Sequence, residues 1–248
     1  MAESKLRDYN AMASILTVQD LKVHFNTEQG AVQAVNGVSF DLQAGESLAV
    51  VGESGAGKTV SMLALMGLID PPGEISSGIV FYGGKDLLQN SAEEWQQVRG
   101  RKIALIQQDA VAALNPVLPI GEQVSEALTI HLPLSKSAAR LRSVELLSQV
   151  GIPDADRLLD RYVHQLSGGT CQRVTIAIAL AAQPEILIAD EPTSAVDVTV
   201  QAQIIDLLVS MQRRTGMAMI WITHDLGVVA RVARRVLVMY AGRIVEES

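Results

Sequence analysis

The stretch Gly52-Glu53-Ser54-Gly55-Ala56-Gly57-Lys58-Thr59 fits G-x-x-x-x-G-K-[ST], a phosphate-binding loop. Its glycines let the backbone turn successive N–H groups toward one point at little steric cost. A helix starting at the end of the loop adds positive potential where phosphate oxygens would sit. Lys58 would reach the β- and γ-phosphates of a bound triphosphate, and Thr59 would offer its hydroxyl to Mg²⁺. Hydrolysis needs more: a carboxylate on the metal side, a positioned water, and donors for charge on the γ-phosphate.

Candidates for those parts stand at strand ends. Asp190 closes the apolar run Ile186-Leu187-Ile188-Ala189, the Walker B position for Mg²⁺, and Glu191 beside it is placed to polarise the attacking water. The rival reading of this pair, an acidic turn before Pro192, weakens with a phosphate loop upstream. His224 follows the run Met217 to Ile222, and its neutral ring could bond the γ-phosphate or the water. Gln108 lies just past the run Ile103 to Ile106, where α/β sheets place ligand contacts. Its amide oxygen could ligate Mg²⁺ or hold the water. Ser167, Gly168 and Gly169 precede an apolar helix and form a second anion-binding helix start, with Ser167 as N-cap. They are far from the first loop in sequence and could serve a second copy of the chain. Phe25 ends a strand and could stack on a base; a half-buried strand aromatic is an equal reading. His131 and His164 default to structure, Cys171 to a helix without redox chemistry, and Met62, Met66, Met217 and Met219 to core. Arg231, Arg234 and Arg235 read as a solvated helix face.

Hydrophobic patterning supplies the frame. Ile15–Phe25 and Val32–Leu42 alternate apolar and polar and predict a small antiparallel sheet, with Asn36-Gly37 as a bulge or turn. Ser47–Val51 predicts a buried strand and Thr59–Leu68 the helix after the loop. Asp70-Pro71-Pro72-Gly73 breaks the chain, Ile75–Tyr82 returns as a strand with Gly83-Gly84 as its turn, and Ser91–Arg99 can form a short helix. From Gly121 to Arg161 apolar residues recur at helical spacing and predict two or three helices inserted into the frame. Gln172–Ala182, Asp197–Arg213 and Gly227–Arg234 predict helices between strands at Ile186–Ala189, Met217–Ile222 and Val236–Tyr240. Strands alternating with helices argue a parallel, doubly wound α/β sheet.

Composition bounds the class. The 248 residues suffice for one large α/β domain or two small ones, and at 48% hydrophobic they can bury a sizeable core. A formal net charge of -7 argues against a nucleic-acid partner. The single Cys171 cannot form an internal disulfide, which points to a reducing compartment. Met1 to Ala13 is polar, has no apolar signal-peptide core and reads as a loose tail. No apolar run approaches the roughly 18–20 residues that span a bilayer, so work at a membrane would go through a partner.

At Leu166-Ser167-Gly168-Gly169 the set becomes specific. Phosphate loop, glutamine loop, LSGG, apolar-Asp-Glu, Ser194-Ala195-Val196-Asp197 and a switch histidine stand in the order seen in ABC ATPases, which this chain resembles from about Ile15 to Glu246. The resemblance implies a P-loop NTPase fold: a RecA-like core, an antiparallel β subdomain and a helical subdomain over about 109–168, all in one ATPase domain. It implies ATP and Mg²⁺ as ligands, with Asp197 at the nucleotide interface. Leu114-Asn115-Pro116-Val117, Gly121-Glu122-Gln123, Tyr162-Val163-His164-Gln165 and Thr223-His224-Asp225-Leu226-Gly227 further resemble the oligopeptide/dipeptide/nickel importer branch.

That resemblance implies two transmembrane permease subunits, a second ABC ATPase (the same or a sibling chain), a solute-binding protein, and a peripheral place on the cytoplasmic face of a bacterial or archaeal membrane. The alternatives are a non-transport ABC ATPase of DNA repair or translation, and a regulatory nucleotide-binding subunit. Three departures stand out. Gln107-Gln108-Asp109-Ala110 replaces Phe-Gln-Asp-Pro, and Gln108 keeps the glutamine role because Asp109 follows it. Thr170-Cys171-Gln172-Arg173 replaces Met-Arg-Gln-Arg, and Val196 stands where leucine is usual. The C-terminal extension common in the branch is expected to be absent after Ser248.

Overall fold

The computed structural model describes residues 14–194 and 196–248. The loose tail expected for Met1 to Ala13 lies outside the described residues. The chain opens with two long strands, β1 (Ser14–Thr27) and β2 (Gly30–Gln43), paired antiparallel. Leu21 pairs with Val38 and Lys22 with Asn36, which leaves Gly37 unpaired at φ 83°. Of the two readings of Asn36-Gly37, the bulge is the one observed. β1 also pairs antiparallel with β4 (Gly73–Tyr82), and β4 turns through Gly83-Gly84 into the short β5 (Lys85–Asp86). The result is a four-stranded antiparallel sheet ordered β2-β1-β4-β5.

The second sheet carries the chemistry. Its strands are β3 (Ser47–Gly52), β6 (Ile103–Ile106), β7 (Ile186–Asp190), β8 (Ala218–Ile222), β9 (Arg235–Tyr240) and β10 (Arg243–Glu247). Their order is β10-β9-β3-β8-β7-β6, parallel except for the antiparallel β9–β10 edge. Successive side chains leave a strand on opposite faces, and here both faces are covered. Leu48, Val50, Ile188, Ile220 and Ile222 pack with the antiparallel sheet and the helix after the phosphate loop. Ala49, Val51, Leu187, Ala189, Met219 and Trp221 pack with helices on the other side. This explains why these strands are apolar throughout rather than alternating.

The helices are α1 (Lys58–Leu65), α2 (Ala92–Val98), α3 (Ile120–His131), α4 (Lys136–Gln149), α5 (Ala155–Leu158), α6 (Gly168–Leu180), α7 (Val198–Thr215) and α8 (Leu226–Val232). α3, α4 and α5 fill the stretch where two or three helices are expected. Capping fixes several boundaries. Ser91 starts α2 with a reciprocal Ser91–Glu94 box, Asp197 accepts from the backbone N–H of Thr199 and Val200, and Asp225 does the same for Gly227 and Val228.

The basic run is not a helix face. α8 ends at Val232, and Ala233 is already extended at φ -93°, ψ 145°. Arg235 opens β9 half-buried, its guanidinium ringed by Asp41, Glu46 and Glu247. Only Arg231 lies on the helix, paired with Asp206 of α7.

Candidate active site

The phosphate loop joins β3 to α1 at the C-terminal end of the parallel strands, and it is locked from two sides. Gly57 caps α1 at φ 98°, and a Cβ there would sit 2.3 Å from the Ala34 carbonyl oxygen of β2. A Cβ on Gly52, at φ 156°, would sit 2.3 Å from the Met239 oxygen of β9. Gly55, at φ 80°, has open space around it, so its demand is purely conformational. The Ala56 carbonyl accepts the Gly242 N–H at 3.0 Å, while the Gly242 carbonyl accepts the Asn36 N–H at 2.7 Å. Glu53 and Ser54 stand exposed at the loop's tip. Lys58 is buried, and its ammonium donates to the carbonyls of Gly52 (2.8 Å) and Glu53 (2.9 Å).

β7 brings the two carboxylates alongside. Asp190 is buried at 4% exposure, and its Oδ1 has no protein hydrogen-bond partner. Burial pushes its carboxyl above the usual carboxylate range and the Glu191 charge adds to this, while a hydrogen bond with Thr59 and the charge of Lys58 pull the other way. A buried carboxylate oxygen without a partner, beside a threonine hydroxyl, suits a hard divalent cation. No cluster of three or more Asp, Glu, His or Cys able to hold a metal by itself exists among the described residues.

Glu191 sits at φ 44°, a left-handed backbone held by its N–H bond to the Ile222 carbonyl at 2.9 Å. The turn directs its carboxylate back over the strand ends. There Oε2 accepts from Gln108 Nε2 at 3.0 Å and Oε1 meets His224 Nδ1 at 3.1 Å. Side chains from the ends of β6 and β8 thus share the one carboxylate at the end of β7. With Nδ1 donating to Glu191, the neutral His224 ring keeps Nε2 as an acceptor. With its NH₂ on Glu191, Gln108 keeps its amide oxygen for another partner.

The second helix start faces outward. Ser167 and Gly168 are exposed, and α6 begins at Gly168 rather than at Gln172, because Ser167 caps it by accepting the Thr170 N–H at 3.3 Å. Gly169 lies against α7: a Cβ there would meet the Val200 side chain at 3.0 Å. Asp197 heads α7 as its N-cap. Phe25 is half-buried on β1, with its ring against Gly73, and it pairs with Val32 two residues before Ala34.

Sequence reading passed over several groups that hold these parts. Buried Gln123 on α3 accepts the Asn115 N–H and donates to the carbonyls of Asn115 and Leu118, which fixes the loop after Gln108. Arg173 on α6 donates to the Val150 carbonyl at 2.5 Å and to Gln203 of α7 at 2.7 Å. Gln201 of α7 reaches Asp225, the cap of α8, at 3.2 Å. A polar residue inside an apolar helical pattern was the one available signal for Gln123.

The family model described as ABC transporter matches residues 35–194. The chain is 52% identical over 233 residues to the oligopeptide transport ATP-binding protein OppD of Bacillus subtilis, covering 94% of this chain and 65% of that relative. It is 48% identical to the dipeptide transport ATP-binding protein DppD of Escherichia coli, covering 94% of this chain and 71% of the relative. The chain thus spans about two thirds of the length of such relatives. Among solved structures, a dimeric ATP-binding cassette in a post-hydrolysis state with ADP and Pi superposes at TM-score 0.85 and 27% identity, covering 94% of this chain and 97% of that one.

Proposed function

The chain belongs to the ABC transporter family, and on that premise we propose that it is the ATP-hydrolysing subunit of an importer for peptides or a related small solute. The observation that carries the catalytic half of this reading is the shared carboxylate: Glu191 held between Gln108 and His224, beside buried Asp190 and Lys58. The relatives' names, oligopeptide and dipeptide transport ATP-binding proteins, carry the transport half.

ATP is the substrate. The N–H groups of Gly52 to Thr59 and the Lys58 ammonium would bind its phosphates, with Phe25 offered to the base and Asp197 at the interface. Lys58 would exchange the Gly52 and Glu53 carbonyls for phosphate oxygens. Thr59, Asp190 and the Gln108 oxygen would hold Mg²⁺, which supplies charge neutralisation on the β- and γ-phosphates when bound. Glu191 accepts a proton from the attacking water as the water's oxygen bonds the γ-phosphorus and the bond to the ADP oxygen breaks. Gln108 and His224 fix the angle of that carboxylate, and His224 Nε2 is free to accept from the same water.

Ser167, Gly168 and Gly169 would meet the γ-phosphate of ATP held by a second ATPase, the same chain or a sibling, so closure is driven by contacts made only in the closed state. Two transmembrane permease subunits and a solute-binding protein complete the assembly, with this chain peripheral on the cytoplasmic face of the membrane.

The test is a pull-down from solubilised membranes with Glu191→Gln protein and Mg·ATP. Recovery of two permeases and an ATPase partner is expected, and an accompanying binding protein identifies the solute. Recovery of ribosomal or DNA-bound factors instead overturns the transport reading and leaves the ATP site standing.

A further inference from the structure

We infer that Thr170 is a positioning residue that converts the Ser167 hydroxyl into a dedicated donor toward a phosphate oxygen. The inference rests on the reading above, in which the start of α6 meets nucleotide held by a second ATPase. The observation is a pair of hydrogen bonds between the same two residues. Ser167 Oγ accepts the Thr170 N–H at 3.3 Å, and the two hydroxyls are 2.9 Å apart. Among the described residues neither hydroxyl has another partner. Thr170 is half-buried while Ser167 is exposed, so the pair has an inner and an outer member.

A serine hydroxyl has one proton to give and two lone pairs that accept. The backbone N–H of Thr170 takes one lone pair. When the Thr170 O–H donates, it takes the other. Ser167 is then left with its proton alone, directed away from the helix. A phosphate oxygen brings no proton, so it meets the serine only through that O–H. The threonine also polarises the bond it points into, since chained hydroxyls strengthen one another. Methionine, usual at this position in the branch that the sequence resembles, has no proton to give and leaves the second lone pair open.

Simple helix capping needs only the N–H···Oγ bond, which any residue at this position provides. The two roles therefore separate by substitution. Thr170→Val keeps the branched shape and the cap and removes the hydroxyl; Thr170→Ser keeps the hydroxyl. The measurement is ATP titration of hydrolysis by the chain in its purified transporter complex, with Ser167→Ala as control and thermal melting of each variant beside it. For Thr170→Val the ATP concentration at half-maximal rate should rise about five-fold, the size of one lost hydrogen bond. Its maximal rate should change by less than two-fold, Thr170→Ser should restore the parental curve, and melting should not move.

If Ser167→Ala raises the half-maximal concentration while Thr170→Val behaves as the parent, the role of Thr170 is refuted and the reading of Ser167 survives. If Thr170→Val and Thr170→Ser shift the curve alike, the hydroxyl is not the cause and the inference also falls. If Ser167→Ala itself changes nothing, the underlying reading of the helix start is wrong and the inference goes with it.

Discussion

Two helix starts in this protein carry glycine-rich sequences, and they are built in opposite ways. At α1 the cap is Gly57, with no side chain to offer, and the loop before it is pinned from outside by Ala34, Met239 and Gly242. At α6 the cap is Ser167, which satisfies Thr170 locally and stands exposed. Both leave backbone N–H groups free at a positive helix end. The first makes a cradle whose walls all come from this chain, complete before anything else arrives. The second has no opposite wall within the described residues. The two starts thus differ in what surrounds them: the first is enclosed by distant parts of the same chain, the second is held only by its own cap and by packing on Val200.

The contrast can be broken by substitution. The largest effect is expected where both halves converge on chemistry: Glu191→Gln should lower turnover by roughly 10²–10⁴ and leave nucleotide binding intact, checked by steady-state hydrolysis beside calorimetric titration. Gly57→Ala attacks the pinned half. Its left-handed backbone costs an alanine roughly 1–3 kcal/mol, and its Cβ would meet the Ala34 oxygen at 2.3 Å. ATP affinity of the isolated chain should fall by at least about ten-fold; unchanged affinity would show that the loop rebuilds itself. Ser167→Ala attacks the outward half and should leave that isolated-chain affinity within about two-fold, because no wall of the cradle touches it. A large loss there would erase the distinction. Asp190→Asn should blunt the response of ATP binding to added Mg²⁺, read by titrating the metal at fixed nucleotide. The smallest effect belongs away from both: Arg235→Ala should cost about 1–2 kcal/mol in denaturant unfolding, with kinetics unmoved.

Much of this was legible in advance, for a physical reason. A strand covered on both faces must be apolar throughout, so β6, β7 and β8 declare themselves, and the polar residue just past each one is conspicuous. Gln108, Glu191 and His224 were each visible as strand-end groups. Their meeting was not, because the bonds that join them span 83 and 33 residues of sequence. Arg235 misled for the same reason. Beside Arg231 and Arg234 it reads as one basic face, but Asp41, which holds it, stands 194 residues away. Ser167 was legible as the cap of α6, while the helical run itself was bounded at Gln172 because Gly168 and Gly169 are poor helix formers; the cap serine and packing on Val200 outweigh that propensity. Gln123 stands out as a polar residue in an apolar helical pattern, but that pattern does not specify the backbone groups of Asn115 and Leu118 that it binds.

The pinning of the phosphate loop also has a consequence for the order in which the protein comes into being. The loop occupies residues 52–59, yet the groups that hold it include Met239 and Gly242, about 180 residues further along. A ribosome releases the loop long before it releases its clasp. While the middle of the chain is being made, the loop lacks the contacts with Met239 and Gly242 that hold it in the folded protein. The nucleotide cradle is thus closed by residues synthesised well after the loop itself.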